Sequence, residues 1–385
     1  MRFLPLAAVL ATAAALAACS DASPTGARAS QAAPLMSAAS GQGIAGSYII
    51  VLKEGADPRS VAAVAGVSPK FVYTAALNGF AGTLNQGQLT ALRHNPAVDY
   101  VEQEQVGGIQ TTQTPVTWGL DRIDQHPLPL SNSYTYNATG TGVRAYIIDS
   151  GLQANHPQFG TRASNVWDYA GGSGADCNGH GTHVAGTIGS TTYGVAKNVY
   201  LRGVRVVDCG GFGGTASVIA AMDWVRLNHI KPAVANMSLG YPFSAAVNTA
   251  ATSMINAGVF TAVASGNENQ DACNVSPASA SGTLTVNASD RNDRRASFSN
   301  FGGCTDIYAP GVDVTSTWLG SGTNTISGTS MASPHATGVG ALYKSALGDA
   351  ASATVVSWII SNATLSVISG NPVGTPNRLL YKSSF

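Results

Sequence analysis

The sequence predicts an α/β protein with a doubly wound, mainly parallel sheet, preceded by a small α+β domain of ferredoxin-like topology. After residue 115, apolar runs alternate with stretches of helical periodicity, which is typical of buried parallel strands joined by helices. Before residue 106, shorter elements follow one another in the order β-α-β-β-α-β. The 385 residues are 44% hydrophobic, and 20 Lys and Arg balance 20 Asp and Glu. This composition indicates a compact fold and excludes a nucleic-acid-binding protein held by bulk positive charge.

The first residues predict a signal peptide over 1–19. Met1 and Arg2 precede an uncharged apolar stretch that is shorter than the roughly 20 residues needed to cross a bilayer as a helix. We therefore expect an exported protein whose mature form has no membrane span. The stretch ends Leu16-Ala17-Ala18-Cys19, which resembles a bacterial lipobox and predicts lipidation of Cys19. In the alternative interpretation, cleavage is ordinary and Cys19 is incidental. Residues 20–46 are rich in small and polar residues and predict a flexible linker, with the fold beginning near residue 46.

The small domain is assigned to residues 47–106. Its patterns predict strands over 48–52, 70–75, 79–84 and 98–102, and helices over 58–65 and 86–94. A domain of this size buries only about 60% of its unfolded surface, so it would gain stability from docking on a partner. The following residues 107–114 are rich in Gly, Gln and Thr without periodicity, and we expect this exposed, flexible segment to be the site of processing.

Residues 115–385 form the predicted large domain. Buried parallel strands are expected over 143–148, 199–207, 233–238 and 259–264, and helices over 180–189, 215–228, 245–257 and 330–346. In such a fold, ligands bind beyond the carboxyl ends of the strands. Polar residues at these ends are therefore the first candidates for a functional site.

Three residues of this domain are candidates for nucleophilic catalysis. Asp149 ends an apolar strand, and His180 lies in a stretch of small residues that lets a backbone or a substrate approach closely. Ser330 follows a Gly turn at the start of a helix. Each residue type is usually structural when considered alone. In the chain order Asp, His, Ser on α/β elements, however, they match one of the three known orders of serine hydrolase triads, that of subtilisin.

Five sequence blocks carry a resemblance to a known family. They are Ile148-Asp149-Ser150-Gly151, Asn178-Gly179-His180-Gly181-Thr182-His183-Val184-Ala185-Gly186, Asn236-Met237-Ser238-Leu239-Gly240, Ala264-Ser265-Gly266-Asn267 and Gly328-Thr329-Ser330-Met331-Ala332. On these blocks, residues 111–385 resemble subtilisin-like serine proteases of the proteinase K branch, and most closely its aqualysin-like bacterial enzymes. Residues 48–105 similarly resemble the inhibitor-like propeptide of these enzymes, which assists folding, blocks the cleft and is then removed.

The resemblance implies a secreted serine endopeptidase made as a self-processed zymogen. Ser330 would attack the peptide carbonyl to form an acyl-enzyme, His180 would take its proton, and Asp149 would hold the imidazole in the useful tautomer. Asn267 and the backbone N–H of Ser330 would donate to the oxyanion. Two alternatives stay open: a surface lipoprotein that uses an inactive protease fold as a binding module, and an acyl transferase that joins peptides.

The resemblance also implies that the substrate lies between two backbone edges, to which an extended peptide adds as a strand. These edges are formed by Gly211, Phe212 and Gly213 and by Ser238, Leu239 and Gly240. Phe212 departs from the family, whose members usually carry a small polar residue there. We therefore expect broad specificity with cleavage after apolar residues. The expected partners are polypeptide substrates and the chain's own propeptide, with no nucleic acid, membrane contact only through an N-terminal lipid, and a monomeric state.

Four cysteines besides Cys19 predict two disulfides in an exported protein. Three pairings are open on the count alone, and the resemblance selects Cys177 with Cys209 and Cys273 with Cys304. A zinc site is the alternative interpretation, but the sequence has neither a Cys-x-x-Cys spacing nor an HExxH motif. His183 and His335 are expected to be packed scaffold residues.

Calcium is the cofactor that the resemblance implies, at two sites. Asp306 would bind one ion together with backbone carbonyls near Ser281 and Thr283. The second site would consist of Asp121, Asp124, Gln125, Ser131 and Ser133, although these carboxylates could equally be helix caps. We expect calcium to stabilise the fold without taking part in acyl transfer.

Overall fold

The computed structural model describes residues 32–38, 43–105 and 111–385. Its first part is a small α+β domain with strands β1 (Leu35–Met36), β2 (Gly43–Leu52), β3 (Phe71–Tyr73), β4 (Gly79–Thr83) and β5 (Val98–Gln105) and helices α1 (Pro58–Val64) and α2 (Gln86–Arg93). The strands form one sheet in the order β1-β5-β2-β4-β3, and Ile50, Phe80, Leu92 and Val101 are buried at its core. The predicted order β-α-β-β-α-β from residue 48 onwards is confirmed.

Capping residues set the starts of both small-domain helices. Asp57 accepts from the backbone N–H groups of the first turn of α1, and Pro58 occupies the first helical position, where no N–H is needed. Asn85 and Gln88 form a reciprocal capping box at the start of α2. The ends of these short helices are therefore encoded locally.

Two segments that the composition predicted to be irregular contain strands. β1 pairs in parallel with β5, with Leu35 opposite Val101. β6 (Thr111–Gln113) pairs with β7 (Tyr134–Tyr136). The expectations that the fold begins near residue 46 and that the irregular segment reaches residue 114 are therefore wrong, because backbone ladders form here and Leu35 packs against the core of the small domain. The expected signal peptide, Cys19 and residues 106–110 lie outside the described residues.

The large domain contains the remaining elements. Its helices are α3 (Trp118–Ile123), α4 (His180–Gly189), α5 (Thr215–Asn228), α6 (Ala245–Asn256), α7 (Thr329–Ala346) and α8 (Ser352–Asn362), with 3₁₀ turns at Pro157–Phe159, Ala272–Asn274 and Leu319–Ser321. Its further strands are β8 (Arg144–Asp149), β9 (Ala163–Asp168), β10 (Tyr200–Arg205), β11 (Ala233–Met237), β12 (Tyr241–Pro242), β13 (Phe260–Ala264), β14 (Val275–Ser276), β15 (Leu284–Ser289), β16 (Ile307–Pro310), β17 (Val314–Trp318), β18 (Gly322–Ile326), β19 (Thr364–Leu365) and β20 (Arg378–Leu379).

The main sheet has nine strands in the order β19-β20-β16-β15-β13-β11-β8-β10-β9. All neighbouring pairs from β9 to β20 are parallel, and β19 is antiparallel to β20. The predicted strands are confirmed as β8, β10, β11 and β13, and the predicted helices as α4, α5, α6 and α7, with ends within two residues of the expected ones. β9, β15, β16 and α8 were not predicted.

Helices cover both faces of the sheet. Along β8, Ala145 and Ile147 point into a core shared with α4, α7 and α8, whereas Tyr146 and Ile148 point into a second core shared with α5 and α6. Both faces of the strand are buried, which explains why it appears in the sequence as a continuous apolar run. The α/β doubly wound class is confirmed. Within the described residues, the structure contains no helix with the length and apolar character needed to span a membrane.

Candidate functional site

Asp149 and His180 form a hydrogen-bonded pair at the carboxyl end of the central strand. Asp149 is the last residue of β8 and is buried, and its Oδ1 accepts from the N–H of Ser150 at 2.7 Å. His180 is the first residue of α4, and its Nδ1 lies 2.8 Å from Asp149 Oδ1 and 3.0 Å from Oδ2. The bond leaves Nε2 as the free imidazole nitrogen, and the His180 side chain is 29% exposed.

The surroundings of His180 favour its protonated form. Burial alone lowers the pKa of His180, but the charge of Asp149, the hydrogen bond to Asp149 and the charge of Asp176 together raise it above its ordinary value. The imidazole can therefore hold a proton taken at Nε2. A group with this property suits a general base that becomes a general acid later in the reaction.

Ser330 is the second residue of α7. Its Oγ donates to the carbonyl oxygen of Ser238 at 3.3 Å, and the Ser238 hydroxyl donates back to the carbonyl of Ser330 at 2.8 Å. Ser238 lines the same cleft as Asp149 and His180. These two hydrogen bonds fix the start of α7 to Ser238, which lies in the cleft with Asp149 and His180. Among the described residues, the Ser330 hydroxyl is hydrogen-bonded to the Ser238 carbonyl and not to the His180 ring.

Asn267 is oriented by the residue next to Ser330. Its Oδ1 accepts from the N–H of Thr329 at 2.8 Å and from the Thr329 hydroxyl at 2.9 Å, so its Nδ2 group points the other way. A methyl group built on Gly328 would lie 3.8 Å from Asn267 Nδ2 and 3.6 Å from the backbone N of Ser330. Two N–H donors therefore border the same small space next to the Ser330 hydroxyl, which a side chain at Gly328 would partly fill.

The cleft has a volume of about 540 Å³ and contains both backbone segments expected to bind substrate. Its lining includes Asp149 and His180 and the expected segments Gly211, Phe212, Gly213, Ser238, Leu239 and Gly240. It also includes five residues that the sequence did not indicate as binding residues, namely Ser150, Asn178, Val207, Gly210 and Tyr241. The Phe212 side chain is 78% exposed at the rim. Asp208, also missed, fixes this rim because its Oδ1 accepts from the N–H groups of Gly210 and Phe212, both at 2.9 Å.

Both disulfides that the resemblance selects are present. Cys177 pairs with Cys209 and Cys273 with Cys304, with Cα atoms 5.0 and 5.2 Å apart respectively. The zinc alternative is therefore wrong, since these thiols are bonded to each other. Cys177–Cys209 joins the loop before His180 to the segment that ends at Phe212.

His183 and His335 are buried scaffold residues, as expected. His183 Nε2 donates to the carbonyls of Val314 and Asn324 at 3.0 and 3.1 Å, and His335 Nδ1 donates to the carbonyl of Met331 at 2.9 Å. Burial lowers the pKa of each histidine to about 4, so both are neutral near pH 7.

The residues around Asp306 fit a hard cation. The Asp306 carboxylate faces a cavity of about 190 Å³ that is lined by Thr283 and Thr285 and by backbone of the chain before them. Burial raises the pKa of Asp306, and only the N–H of Thr285, 2.7 Å from Oδ2, and the more distant charge of Arg378 oppose this effect. Ser281 differs from expectation: it lines a neighbouring cavity, and its carbonyl accepts from the Thr252 hydroxyl at 3.0 Å.

The residues of the second expected calcium cluster are joined by hydrogen bonds and by one ion pair. Asp121 accepts from the N–H and the hydroxyl of Ser131 and from the N–H of Asn132. Asp124 accepts from the N–H of Thr135 and forms an ion pair with Lys382, whose Nζ lies 2.8 Å from Oδ1. The amide oxygen of Gln125 accepts from Ser131 N, and Ser133 forms a hydrogen bond with the Ser131 hydroxyl.

The second calcium ion stays a prediction. The carboxylate oxygens of the cluster are already used by N–H and O–H donors, and an ammonium group supplies the positive charge. The described part of the chain contains no group of three or more His, Cys, Asp and Glu residues that could hold a metal ion.

Acyl transfer by a serine hydroxyl requires a base oriented by an acid and donors for the developing oxyanion. The Asp149–His180 contact and the oriented amide of Asn267 supply groups of these kinds near the carboxyl ends of the parallel strands. Together with the family matches that follow, they define a serine-type endopeptidase. Residues 140–379 match the profile described as Subtilase family, and residues 47–107 match the profile described as Peptidase inhibitor I9. The chain belongs to the subtilase family and carries an inhibitor I9 domain before its peptidase domain.

Named relatives agree with this assignment over nearly the whole chain. The "Extracellular serine proteinase" of Thermus sp. (strain Rt41A) is 48% identical over 395 residues, which cover 95% of this chain and 96% of the relative. Proteinase R of Parengyodontium album is 44% identical over 363 residues, which cover 92% of this chain and 93% of the relative. A solved structure titled "Crystal structure of a cold adapted subtilisin-like serine proteinase" shares 47% identity with a TM-score of 0.69, covering 71% of this chain and 100% of that chain.

Proposed function

We propose that the protein is a secreted endopeptidase that cleaves peptide bonds through an acyl-enzyme on Ser330, with His180 as base and Asp149 as its orienting acid. The observation that carries this proposal is the double contact of His180 Nδ1 with Asp149, at 2.8 and 3.0 Å, in a cleft that is also lined by Ser238, to which Ser330 is hydrogen-bonded. Nε2 of His180 takes the Ser330 Oγ proton as Oγ attacks the carbonyl carbon. The same nitrogen then returns the proton to the leaving amine, and water repeats the sequence to release the acid.

The oxyanion of the tetrahedral intermediate is bound by Asn267 Nδ2 and by the backbone N–H of Ser330. The support is the contact of Asn267 Oδ1 with Thr329, which directs the amide group towards the space beside Gly328. Donors fixed in this way stabilise charge without reorganising during the reaction.

The substrate binds as an extended strand between the segment of Phe212 and that of Leu239. Backbone donors and acceptors on both sides accept any sequence, which favours broad specificity. The exposed ring of Phe212 and the apolar lining of Val207, Leu239 and Tyr241 favour apolar residues, and we propose cleavage after such residues. A peptide-library profile dominated by basic residues would contradict this part of the proposal.

The chain is made as an exported zymogen that processes itself within residues 107–114. Support comes from the I9 match over residues 47–107, which ends where this segment begins, and from the extracellular naming of the Thermus relative. The I9 domain acts as an intramolecular inhibitor until cleavage. A lipid on Cys19 would hold the precursor at the membrane and would stay with the removed prosegment.

A calcium ion at Asp306 stabilises the peptidase domain. The carboxylate of Asp306 and carbonyls of the chain near Thr283 would hold the ion, which would supply positive charge to a half-buried acid. Chelation is expected to lower the thermal midpoint of the parent chain but not that of an Asp306→Asn variant. Equal midpoints of the parent with and without chelator would contradict the proposal.

Comparison of the full-length chain with its Ser330→Ala variant tests the proposed function. The parent is expected to yield a product whose N-terminus lies within or just after residues 107–114 and to hydrolyse peptides, whereas the variant remains uncut and inactive. The intact masses also report whether Cys19 carries lipid.

Two other results would replace the proposal. A parent chain that stays uncut and binds peptides without hydrolysing them would be a binding module. A product in which a competing amine is joined to the peptide in place of water would be that of an acyl transferase.

A further inference from the structure

The first turn of α4, which presents His180, has no cap of its own. Its N-cap residue is Gly179, with φ 106°, which has no side chain to accept from the turn. The first N–H groups of a helix need acceptors from outside the helix. Here the N–H of His180 donates to Asn178 Oδ1 at 3.2 Å, and that of Gly181 donates to the Ser150 hydroxyl at 2.9 Å. The position of His180 therefore depends on polar groups of neighbouring loops.

Asp176 holds most of this arrangement together. Its Oδ1 accepts from the two backbone N–H groups that directly precede His180, both at 2.9 Å, and from the Ser150 hydroxyl at 2.9 Å. Its Oδ2 accepts from the N–H of Thr182 at 3.0 Å and from the Thr182 hydroxyl at 2.6 Å. Ser150 directly follows Asp149, so one carboxylate links the start of the His180 helix to the strand that carries its acid partner.

We propose that Asp176 is a positioning residue for His180: it fixes the first turn of α4 so that the imidazole keeps its contact with Asp149, and its negative charge stabilises the imidazolium formed when the Ser330 proton moves to Nε2. Asp176 acts through the helix and through its field, and it does not touch the substrate. The inference rests on the proposed function, since it assigns a task within that same reaction.

Two negative charges act on His180, that of Asp149 and that of Asp176. Asp149 faces His180 from β8, and His183 lies one turn further along α4, where burial lowers its pKa to about 4. His335 on α7 faces His183 and has a pKa of about 4 for the same reason. β17, which packs on α4, contains no ionisable residue.

Arg205, a cation on the strand next to β8, is paired with a different acid. Arg205 at the end of β10 lies 3.7 Å from Asp168 and also contacts the Cys177 sulfur. Within the described residues, Asp176 has no ion-pair partner. No ion pair therefore neutralises its charge, and its effect on the pKa of His180 has the same sign as that of Asp149.

An Asp176→Asn variant separates charge from size. Loss of the charge and of one acceptor is expected to lower kcat roughly tenfold to a hundredfold with KM changed less than about twofold, because the general base is misplaced rather than the substrate. The acid limb of kcat/KM is expected to move to lower pH by about half a unit. Asp176→Glu, which keeps the charge, should leave the acid limb in place.

Asp290→Asn is the matched control. Asp290 also fixes a turn, accepting from the N–H groups of Asn292 and Arg294 at 2.8 and 2.9 Å, but it lines a different cavity from His180. This variant should keep the parent kcat and acid limb. An Asp176→Asn enzyme with the parent kcat and an unmoved acid limb would overturn the inference while leaving the endopeptidase function intact.

A second measurement does not depend on self-processing. In full-length Ser330→Ala chains, the ring of His180 can be titrated by NMR with and without Asp176→Asn. A lower His180 pKa in the double variant supports the role of the Asp176 charge, and equal pKa values in two folded chains contradict it. Absence of hydrolysis by the parent chain would instead count against the proposed function.

Discussion

Replacing Lys382 by methionine is expected to destabilise the large domain by about 3–5 kcal/mol, because removal of one partner of a buried ion pair leaves the other charge uncompensated. The Lys382 side chain is 3% exposed, and its Nζ lies 2.8 Å from Asp124 Oδ1, whose side chain is 13% exposed. The same ammonium donates to the carbonyl of Ser383 at 3.1 Å and to a terminal carboxylate oxygen of Phe385, the last residue, at 2.6 Å. Methionine fills similar space but provides no charge or donor.

The magnitude should be visible in the thermal midpoint. For a domain of this size, a loss of about 3 kcal/mol or more corresponds to a decrease of about 6 °C or more. Unfolding would be followed by circular dichroism in a Ser330→Ala background, which prevents self-digestion. A Lys382→Met, Asp124→Asn double variant should recover much of the loss, because the unpaired carboxylate is then neutral.

The control is Lys53→Met, since the exposed Lys53 donates to a single carbonyl, that of Pro96 at 2.7 Å. It should change stability by less than about 0.5 kcal/mol. A Lys382→Met chain within about 1 kcal/mol of its parent would refute the reasoning that the ammonium is the cation of this cluster.

Three further results are expected. Because the pKa of His180 is raised, kcat/KM should fall as pH decreases from neutral, and the loss should begin above the ordinary histidine pKa of about 6.5. A kcat/KM that stays constant down to pH 5 would contradict the assignment of His180 as the base. His183 and His335 have pKa values of about 4 in the folded chain, whereas histidines of the unfolded chain bind protons below about pH 6.5. Between about pH 6.5 and pH 4, the free energy of unfolding of the Ser330→Ala chain should therefore fall by about 1.4 kcal/mol per histidine for each pH unit. A denaturant midpoint that stays constant over this pH range would contradict the prediction. Phe212→Ser should reduce the preference for apolar over polar residues upstream of the cleaved bond by roughly tenfold in kcat/KM, since it removes one large apolar contact. An unchanged peptide-library profile would show that other residues determine this preference.

Strong local patterns were sufficient to predict much of the fold and the candidate site. β8 and α4 follow from a continuous apolar run and from a helical stretch of small residues, and they bring Asp149 and His180 together as expected. β15 was missed because Thr285, Asn287 and Ser289 interrupt its apolar character although all three are buried. Asn287, for example, donates its side-chain N–H to the Thr305 hydroxyl at 3.0 Å, a contact with a distant segment of the chain.

Contacts between distant parts of the chain could not be predicted from the sequence. The disulfide pairing required the family resemblance, because the cysteine count alone left three possibilities. The ion pair of Asp124 with Lys382 depends on the C-terminal segment returning to α3, where the N–H of Lys382 donates to the carbonyl of Ile123 at 2.9 Å.

The most direct test of the central claim is to map the adduct of a fluorophosphonate on the mature protein by tandem mass spectrometry. Phosphonylation at Ser330 Oγ that disappears in His180→Ala, while the fold is retained, is the expected result. An adduct elsewhere, or equal labelling without the imidazole, would contradict a serine nucleophile activated by His180.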